Sequence, residues 1–155
     1  MYLEDLHAGD VFDTPARTVT AEDVRKFAEI TGDFNPVHLD PEFARATPFG
    51  RPIAHGLLTV SLALGLWSTE GITRESLLAL VSLEEMKFRK PIYPGDTLRL
   101  HTEVLEVKSL RSRPDAGLVV YRDQVRDNNQ EVVVEFRRTV LLKKRFTVEP
   151  TAGCP

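Results

Sequence analysis

One apolar run, LLTVSLALGLW at residues 57–67, limits the folds open to this chain more than any other segment. The run is well short of the roughly 20 residues that a bilayer-spanning helix needs. A helix that is apolar on all sides is usually buried in protein. The sequence therefore predicts a central helix that the rest of the chain covers.

The chain after this run changes its pattern from helix to strand. Residues 78–89 form a mostly apolar strand candidate, which the Pro-Gly pair of KPIYPGD ends. Residues 98–104 alternate apolar and polar side chains, as in a half-exposed strand. Residues 117–126 and 131–143 flank DNNQ, where Asn-Asn suits the positive φ angles of a tight hairpin turn. Antiparallel strands beside a buried helix predict an α+β fold, with the sheet wrapped around the helix.

The first half of the chain is helical and rich in loops. Thr20 is the predicted N-cap of a helix that ends at Gly32, a residue that readily adopts the left-handed conformation. Because Pro36 favours an extended residue before it, we expect a stiff, non-helical connection over residues 33–38. Asp40 then caps a second short helix, with a proline in its first turn.

Three polar residues on this connection, Asp33, Asn35 and His38, suggest chemistry. Adding water to an unsaturated thioester requires a base, an acid, and donors at the oxygen where negative charge develops. Asp33 and His38 can hold and activate one water between them. Gly56, at the start of the apolar helix, offers a free backbone N–H at the positive end of the helix dipole.

Each of these residues also has an ordinary interpretation. Asp33 and Asn35 are common turn formers, His38 can be a partly buried histidine, and Gly56 can be only a helix cap. The segment RPIAHG, some twenty residues after the polar connection, argues against coincidence, because independent turn residues have no reason to come in this order.

The segments FAEITGDFNPVHLDPEFA and FGRPIAHGLL resemble the hydratase-2 motif of the MaoC-like dehydratases, a family that includes the (R)-specific enoyl-CoA hydratases. MKFRKPIYPGDTL is similar to the strand and turn that follow in that family. The resemblance implies a hot-dog fold and a homodimer or higher homo-oligomer with active sites near the interface. It also implies that Asp33 and His38 form the catalytic pair, that Asn35 supports them, and that Gly56 is the oxyanion donor.

The same resemblance implies an acyl chain carried on coenzyme A or on acyl carrier protein. Lys87, Arg89 and Lys90 could meet the phosphates of that carrier, although an ordinary solvated strand end explains them equally well. Ser61 could orient a catalytic side chain, but a serine in a close-packed helix is the preferred interpretation. His55 is expected to shape the loop before Gly56.

The expected function is the reversible hydration of a trans-2-enoyl thioester to the (R)-3-hydroxyacyl thioester. No cofactor is expected, since coenzyme A enters as part of the substrate. No metal is expected either, because the usual zinc spacings are absent and the four histidines are scattered. A hot-dog thioesterase and a non-catalytic acyl-CoA-binding module remain alternatives. Acyl-chain length, the choice of carrier and the direction of the reaction stay open.

Length and composition bound the remaining possibilities. A chain of 155 residues suits one domain, expected over residues 1–148, with a disordered tail at 149–155. A formal net charge of -3 argues against a nucleic-acid partner. The N-terminal residues lack the pattern of a signal peptide, so a cytoplasmic location away from membranes is expected. The single cysteine, Cys154, allows no internal disulfide.

Overall fold

The computed structural model describes residues 1–145, with short helices in the first half of the chain and long strands in the second. The helices are α1 (Ala21–Thr31), α2 (Pro36–Leu39), α3 (Pro41–Arg45) and α4 (Gly56–Thr69). The strands are β1 (Val11–Asp13), β2 (Arg17–Thr18), β3 (Leu77–Phe88), β4 (Thr97–Leu110), β5 (Arg113–Arg126) and β6 (Val132–Lys143).

The strands form an antiparallel sheet in the order β1-β4-β5-β6-β3, and β2 also pairs with β4. The predicted antiparallel pairing is therefore confirmed. The strands β4 and β5 are longer than their patterns indicated, since they continue through residues 105–110 and 113–116 around a turn at 111–112. Pro114 interrupts the strand pattern there, yet a proline is tolerated close to the start of a strand.

The helix α4 lies against this sheet with one face. Val60, Ala63 and Trp67 are buried in a common core with sheet residues. The opposite face is open, and Leu57 keeps 60% of its surface exposed. The prediction of a helix packed inside an antiparallel sheet is confirmed, but residues 1–145 cover only one side of the helix.

The ends of α1 follow the sequence prediction. The Thr20 side chain accepts a hydrogen bond from the Asp23 N–H at 3.0 Å, and the Asp23 carboxylate accepts one from the Thr20 N–H at 2.9 Å. Gly32 ends the helix with a φ of 76°. Such a reciprocal cap and a left-handed glycine fix both ends of the helix. Asp33 therefore begins a connection at a defined place.

The prediction of a non-helical connection over residues 33–38 is wrong in its second half. Pro36 begins the single helical turn α2, and His38 lies inside that turn. Asn35 is extended, as expected before a proline, and its side chain caps the turn. Proline restricts the residue before it but is itself well suited to the first position of a helix, which explains the difference.

The turn between β5 and β6 also differs from its prediction. The residue with a positive φ is Gln130, at 63°, rather than Asn128 or Asn129. The Asp127 side chain accepts hydrogen bonds from the N–H groups of Asn129 and Glu131, at 2.8 and 2.9 Å. This loop of residues 127–131 has one left-handed residue, Gln130, whereas a two-residue type I′ turn would need both of its central residues in that conformation.

Within residues 1–145, no helix is long and apolar enough to cross a membrane. The predicted limit of one domain at residue 148 stays a prediction. The expected disordered tail and Cys154 lie outside the described residues.

Candidate active site

Two connections lie side by side before α4, and hydrogen bonds join them. The Ile53 N–H donates to the Val37 carbonyl oxygen at 3.2 Å, and the His38 Nδ1 lies 2.8 Å from the Ile53 carbonyl oxygen. The next residue, Ala54, donates to the Ile92 carbonyl oxygen at 2.7 Å. These contacts hold the segment after α1 against the start of α4, and so bring together residues far apart in sequence.

Asp33 and Asn35 form the turns that their ordinary interpretation predicted. The Asp33 Oδ1 accepts from the Asn35 N–H at 3.3 Å, and the Asn35 Oδ1 accepts from the Val37 N–H at 3.2 Å. Each turn uses one side-chain oxygen. The second carboxylate oxygen of Asp33 is not needed by its turn, so the structural and the chemical roles of this residue are compatible.

The hydrogen bond of His38 fixes its tautomer. A carbonyl oxygen only accepts, so the Nδ1 that faces Ile53 must carry the proton, and Nε2 of the neutral ring keeps its lone pair. Partial burial lowers the pKa of His38 below the ordinary value of 6.5, against the opposing effects of the Ile53 hydrogen bond and the Asp33 charge. The neutral ring can therefore accept a proton at Nε2.

Gly56 is the first residue of α4, where backbone N–H groups have no partner within the helix. His55, the residue before it, makes no side-chain cap to these groups. A Cβ on Gly56 would lie 2.7 Å from Cε1 of Phe88, closer than real Cβ atoms approach a neighbour. Glycine is required here for space, since its φ is not positive.

A cavity of about 410 Å³ joins these groups. Its lining residues are Phe27, Thr31, Asp33, His38, His55, Gly56, Leu57 and Phe88. The structure thus brings four of the predicted site residues, Asp33, His38, His55 and Gly56, to one cavity. The cavity is open to solvent, because Asp33 is exposed and 52% of the Phe88 surface is exposed.

The aromatic walls of this cavity, Phe27 and Phe88, were not identified from the sequence. Phe27 lies within the helix predicted between Thr20 and Gly32, and Phe88 lies within the predicted strand at 78–89. The signal for Phe88 was its place inside MKFRKP, directly between the basic residues that were singled out. Its distance from Gly56 depends on strand pairing, which the sequence pattern does not specify.

His55 is only 2% exposed, and its ring lies between the catalytic candidates and the core. Its Nε2 lies 3.0 Å from the Asp33 carbonyl oxygen. Its ring stacks on that of His38, with centroids 3.8 Å apart. The expectation that His55 shapes the loop before Gly56 understates these contacts, because the ring reaches both Asp33 and His38.

Asp33, His38 and His55 are also a group that could hold a metal ion, since their potential ligand atoms lie within 4.8 Å of one another. Two of the four ring nitrogens are already committed, one to Ile53 and one to Asp33. A metal would have to use the remaining nitrogens and the carboxylate. The expectation that no metal is needed stays a prediction.

The other predicted site residues do not reach the cavity. Ser61 is exposed on the open face of α4, which corrects the expectation of a serine in close packing. Arg89 and Lys90 form exposed ion pairs with Glu135 and Glu131. Lys87 lies beside a separate cavity of about 170 Å³. The three cations flank Phe88 in the chain, so their predicted carrier contact is untested rather than excluded.

Comparison with known proteins adds evidence that is independent of this geometry. A family model described as MaoC like domain matches residues 5–127. The chain is 34% identical over 152 residues to the 3-hydroxybutyryl-CoA dehydratase of Methylorubrum extorquens, a match that covers 98% of this chain and 90% of that protein. It is 40% identical over 88 residues to the (R)-specific enoyl-CoA hydratase of Aeromonas caviae, covering 57% of this chain and 63% of that protein.

A solved structure gives the corresponding evidence for the fold. A Mycobacterium tuberculosis protein described as having a double hotdog fold superposes with a TM-score of 0.83 and 27% identity. The match covers 97% of this chain and 46% of that chain. The predicted hot-dog fold is confirmed, and this chain corresponds to less than half of a protein with two such units.

Proposed function

The chain belongs to the MaoC-like dehydratase family, and we propose that it catalyses the reversible addition of water to a trans-2-enoyl thioester of coenzyme A. The product is the (R)-3-hydroxyacyl thioester. The named activities of the two relatives support a hydro-lyase of this kind. The relative named for 3-hydroxybutyryl-CoA supports a four-carbon acyl chain as the first substrate to test.

One observation carries this proposal. Asp33 and His38 converge on the cavity that begins α4, with potential ligand atoms within 4.8 Å of each other. Asp33 offers a carboxylate oxygen and His38 offers the Nε2 lone pair. Two acceptors that border one cavity can hold the two hydrogens of one water between them. The water oxygen then presents its own lone pair to the substrate.

The reaction proceeds on one face of the substrate. The water oxygen forms a bond to C3 of the enoyl group, the double bond between C2 and C3 becomes a single bond, and a proton reaches C2. Asp33 and His38 accept the proton from water and return it to C2. The net reaction therefore adds one water to the substrate and leaves the protein unchanged. The hydroxyl group at C3 and the proton at C2 both arrive from the side of the substrate that faces Asp33 and His38, which gives syn addition.

Gly56 stabilises the intermediate charge. As water attacks C3, negative charge develops on the thioester oxygen. The N–H at the start of α4 lies at the positive end of the helix dipole, and the missing side chain lets this oxygen approach. Removal of one such donor typically costs about 10²–10³ in rate in other enzymes.

We propose a second copy of the chain as the partner that closes the site. Among the strands of residues 1–145, β3 is an edge of the sheet and pairs only with β6. Its exposed apolar residues Leu77, Leu80 and Val81 lie on that edge, and Leu57 is exposed on α4. Free strand edges with apolar side chains are suited to pairing with another chain. The two-unit solved relative supports a pair of such units.

The basic residues Lys87, Arg89 and Lys90 stay a proposal for the carrier phosphates. Arg89 and Lys90 already have carboxylate partners, which reduces their attraction for a further anion. Within the described residues, Lys87 has no carboxylate within the distance of an ion pair. It is therefore the cation of the three with most to gain from a phosphate.

The test follows crotonyl-CoA by the absorbance of the conjugated enoyl group, with free thiol measured in the same sample. Wild-type protein is compared with Asp33→Asn and His38→Gln. We expect the absorbance to fall without thiol release in the wild type only. Chiral analysis of the product should give the (R) isomer.

Thiol release with loss of the thioester would replace this proposal with the thioesterase alternative. An absorbance loss of equal rate in the two variants would remove Asp33 and His38 from the mechanism. Light scattering measures the molar mass of the protein in solution and so tests whether two copies associate. We expect Val81→Glu, on the β3 edge, to dissociate the two copies.

A further inference from the structure

The ring of His55 has three contacts that a residue shaping a loop does not need. Its Nε2 faces the carbonyl oxygen of Asp33 at 3.0 Å, and its ring lies 3.8 Å from that of His38, with 29° between the planes. On another side it lies 5.0 Å from the ring of Phe27. The side chain is therefore enclosed between α1, the Asp33 turn and the turn that carries His38.

The two stacked histidines have opposite tautomers. The Asp33 carbonyl oxygen can only accept, so the Nε2 of His55 carries the proton. The Ile53 carbonyl oxygen likewise requires the proton of His38 on Nδ1. Each ring is thus fixed by one donated hydrogen bond to a backbone carbonyl. The lone pair of His38 is left on the atom that the proposed mechanism uses.

The Nδ1 atom of His55 is buried and has no hydrogen-bond partner among the residues that the structure describes. A buried acceptor without a partner costs about 1–3 kcal/mol. A ring kept for packing alone would gain from an apolar replacement such as phenylalanine, since Phe27 already provides an apolar neighbour. The histidine is therefore better explained by its Nε2 hydrogen bond than by stability.

We infer that His55 is a positioning residue that holds both members of the dyad, Asp33 through its backbone carbonyl and His38 through the face of its ring. This inference rests on the proposed function. The hydrogen bond fixes the peptide that carries the Asp33 side chain. The stacked ring stops the His38 imidazole from turning away from the water. His55 touches no reacting atom and acts only through these two residues.

The ring of His55 also affects the charge of its neighbour. The pKa of His38 is lowered in part by the neighbouring ring of His55. Asp33 faces His38 from the same side and opposes this effect. Arg25 and Arg51 line a second cavity on which His38 also borders, and Asp40 follows two residues after His38. Removal of His55 should therefore raise the pKa of His38.

Two substitutions separate the contacts of His55. The variant His55→Phe keeps a ring to stack on His38 but has no donor for Asp33. The variant His55→Gln keeps a donor near the Nε2 position but has no ring. We expect kcat to fall on the order of tenfold to a hundredfold in each, with KM changed less, because misplacement by about 1 Å costs this much. His101→Gln, at a half-buried strand position paired with Asp13 and outside the cavity, is the matched control and should leave kcat unchanged.

Thermal unfolding is measured on the same variants. We expect His55→Phe to stay folded with little change in its melting temperature while its activity falls. In His55→Gln the acid limb of kcat/KM should move to higher pH. Wild-type kcat and an unmoved acid limb in both folded variants would overturn the inference.

A measurement on the wild type covers the case in which the variants do not fold. Nitrogen-15 NMR of the imidazole rings reads the tautomers directly, and it needs no substrate. We expect the proton of His55 on Nε2 and that of His38 on Nδ1. A proton of His55 on Nδ1 would remove the hydrogen bond to Asp33 and with it the inference. Because this result does not depend on hydratase activity, it is separate from a failure of the proposed function.

Discussion

The two ends of α4 carry polar groups that are used in opposite ways. Beside its first turn, the carboxylate of Asp33 and the ring of His38, with Nε2 as its acceptor, border an open cavity. At its last turn, the Arg138 guanidinium lies 4.8 Å from the ring of Trp67 and 2.5 Å from the Asp123 carboxylate. Asp123 is fully buried and also accepts from the Thr102 hydroxyl at 2.6 Å.

The carboxylates of Asp123 and Asp33 differ in how many hydrogen bonds they accept. Asp123 receives three hydrogen bonds from Arg138 and Thr102, and so its charge is held inside the core. The Asp33 carboxylate accepts one backbone hydrogen bond. A charge that is paired internally supports the fold, whereas a charge left with spare capacity beside a cavity is available for a substrate. The five tests below are arranged around this contrast.

The largest effect is expected from Asp33→Asn. The amide keeps the turn but cannot accept a proton, so kcat should fall by about 10²–10⁴. The free energy of unfolding should change by less than about 0.5 kcal/mol, because the side chain is exposed. Steady-state hydration of crotonyl-CoA measures kcat, and urea unfolding of the same preparation measures the free energy of unfolding. A large loss of stability would show that this end of α4 is structural as well.

The matching change at the other end is Asp123→Leu. It leaves the Arg138 charge buried without a partner, and we expect a loss of about 3–5 kcal/mol in the free energy of unfolding. The folded fraction should keep its activity. The double variant Asp123→Leu with Arg138→Met should recover most of the stability, because apolar pairs replace buried ion pairs at little cost. Denaturant unfolding of the three proteins tests this.

Two glycines of α4 offer a comparison within one helix. Gly56→Ala forces the Phe88 ring away from its place in the cavity wall, and kcat/KM should fall by about tenfold or more. Gly65→Ala meets no atom within 4 Å in the chain and should raise the free energy of unfolding by about 0.5–1 kcal/mol. If Gly65→Ala instead weakens the oligomer, the open face of α4 is an interface.

The pH dependence follows from His38. Its pKa lies below 6.5 in the folded protein, so kcat/KM should stay high through pH 6.5 and fall as the pH drops through the lower pKa. Between these two values the unfolded chain binds more protons than the folded one. Stability therefore falls as the pH drops below 6.5 and receives nothing from this group above it. His38→Gln should remove this part of the unfolding profile.

The smallest effects are expected from the exposed ion pairs. Arg89→Ala and Lys90→Ala should each change the free energy of unfolding by less than about 1 kcal/mol, since exposed pairs contribute little. If these cations meet the carrier phosphates, KM for crotonyl-CoA should rise while KM for crotonyl-pantetheine stays the same. Equal KM values in wild type and both variants would leave Lys87 as the candidate.

Much of the local structure was predictable because it depends on neighbouring residues. Thr20 and Gly32 fix the ends of α1, and Asp40 caps α3, through hydrogen bonds and backbone angles within a few residues. The residues Asp33, His38 and Gly56 were found in the same way, from spacing and from a family resemblance. The helical turn at Pro36 was missed because proline restricts its predecessor and favours a helix start at the same time.

The contacts between distant segments were not predictable from periodicity. The pairing of β3 with β6 places Phe88 against Gly56, and the residue pattern of β3 alone gives no sign of it. His55 reaches Asp33 across 22 positions, and Asp123 reaches Arg138 between adjacent strands. These partners are chosen by strand register and by packing, which a single sequence does not state.

The amino-acid sequence by itself determined where α1 begins and ends, where α3 begins, that residues 98–104 alternate apolar and polar side chains, and which residues have the chemistry to move a proton. Those properties depend on side-chain chemistry and on backbone angles over a few residues. The tertiary structure alone decided that two histidine rings stack with opposite tautomers and that one face of α4 stays open. The burial of a side chain and the partner of a long-range hydrogen bond are set only when distant segments meet, because both depend on the residues of the opposing segment.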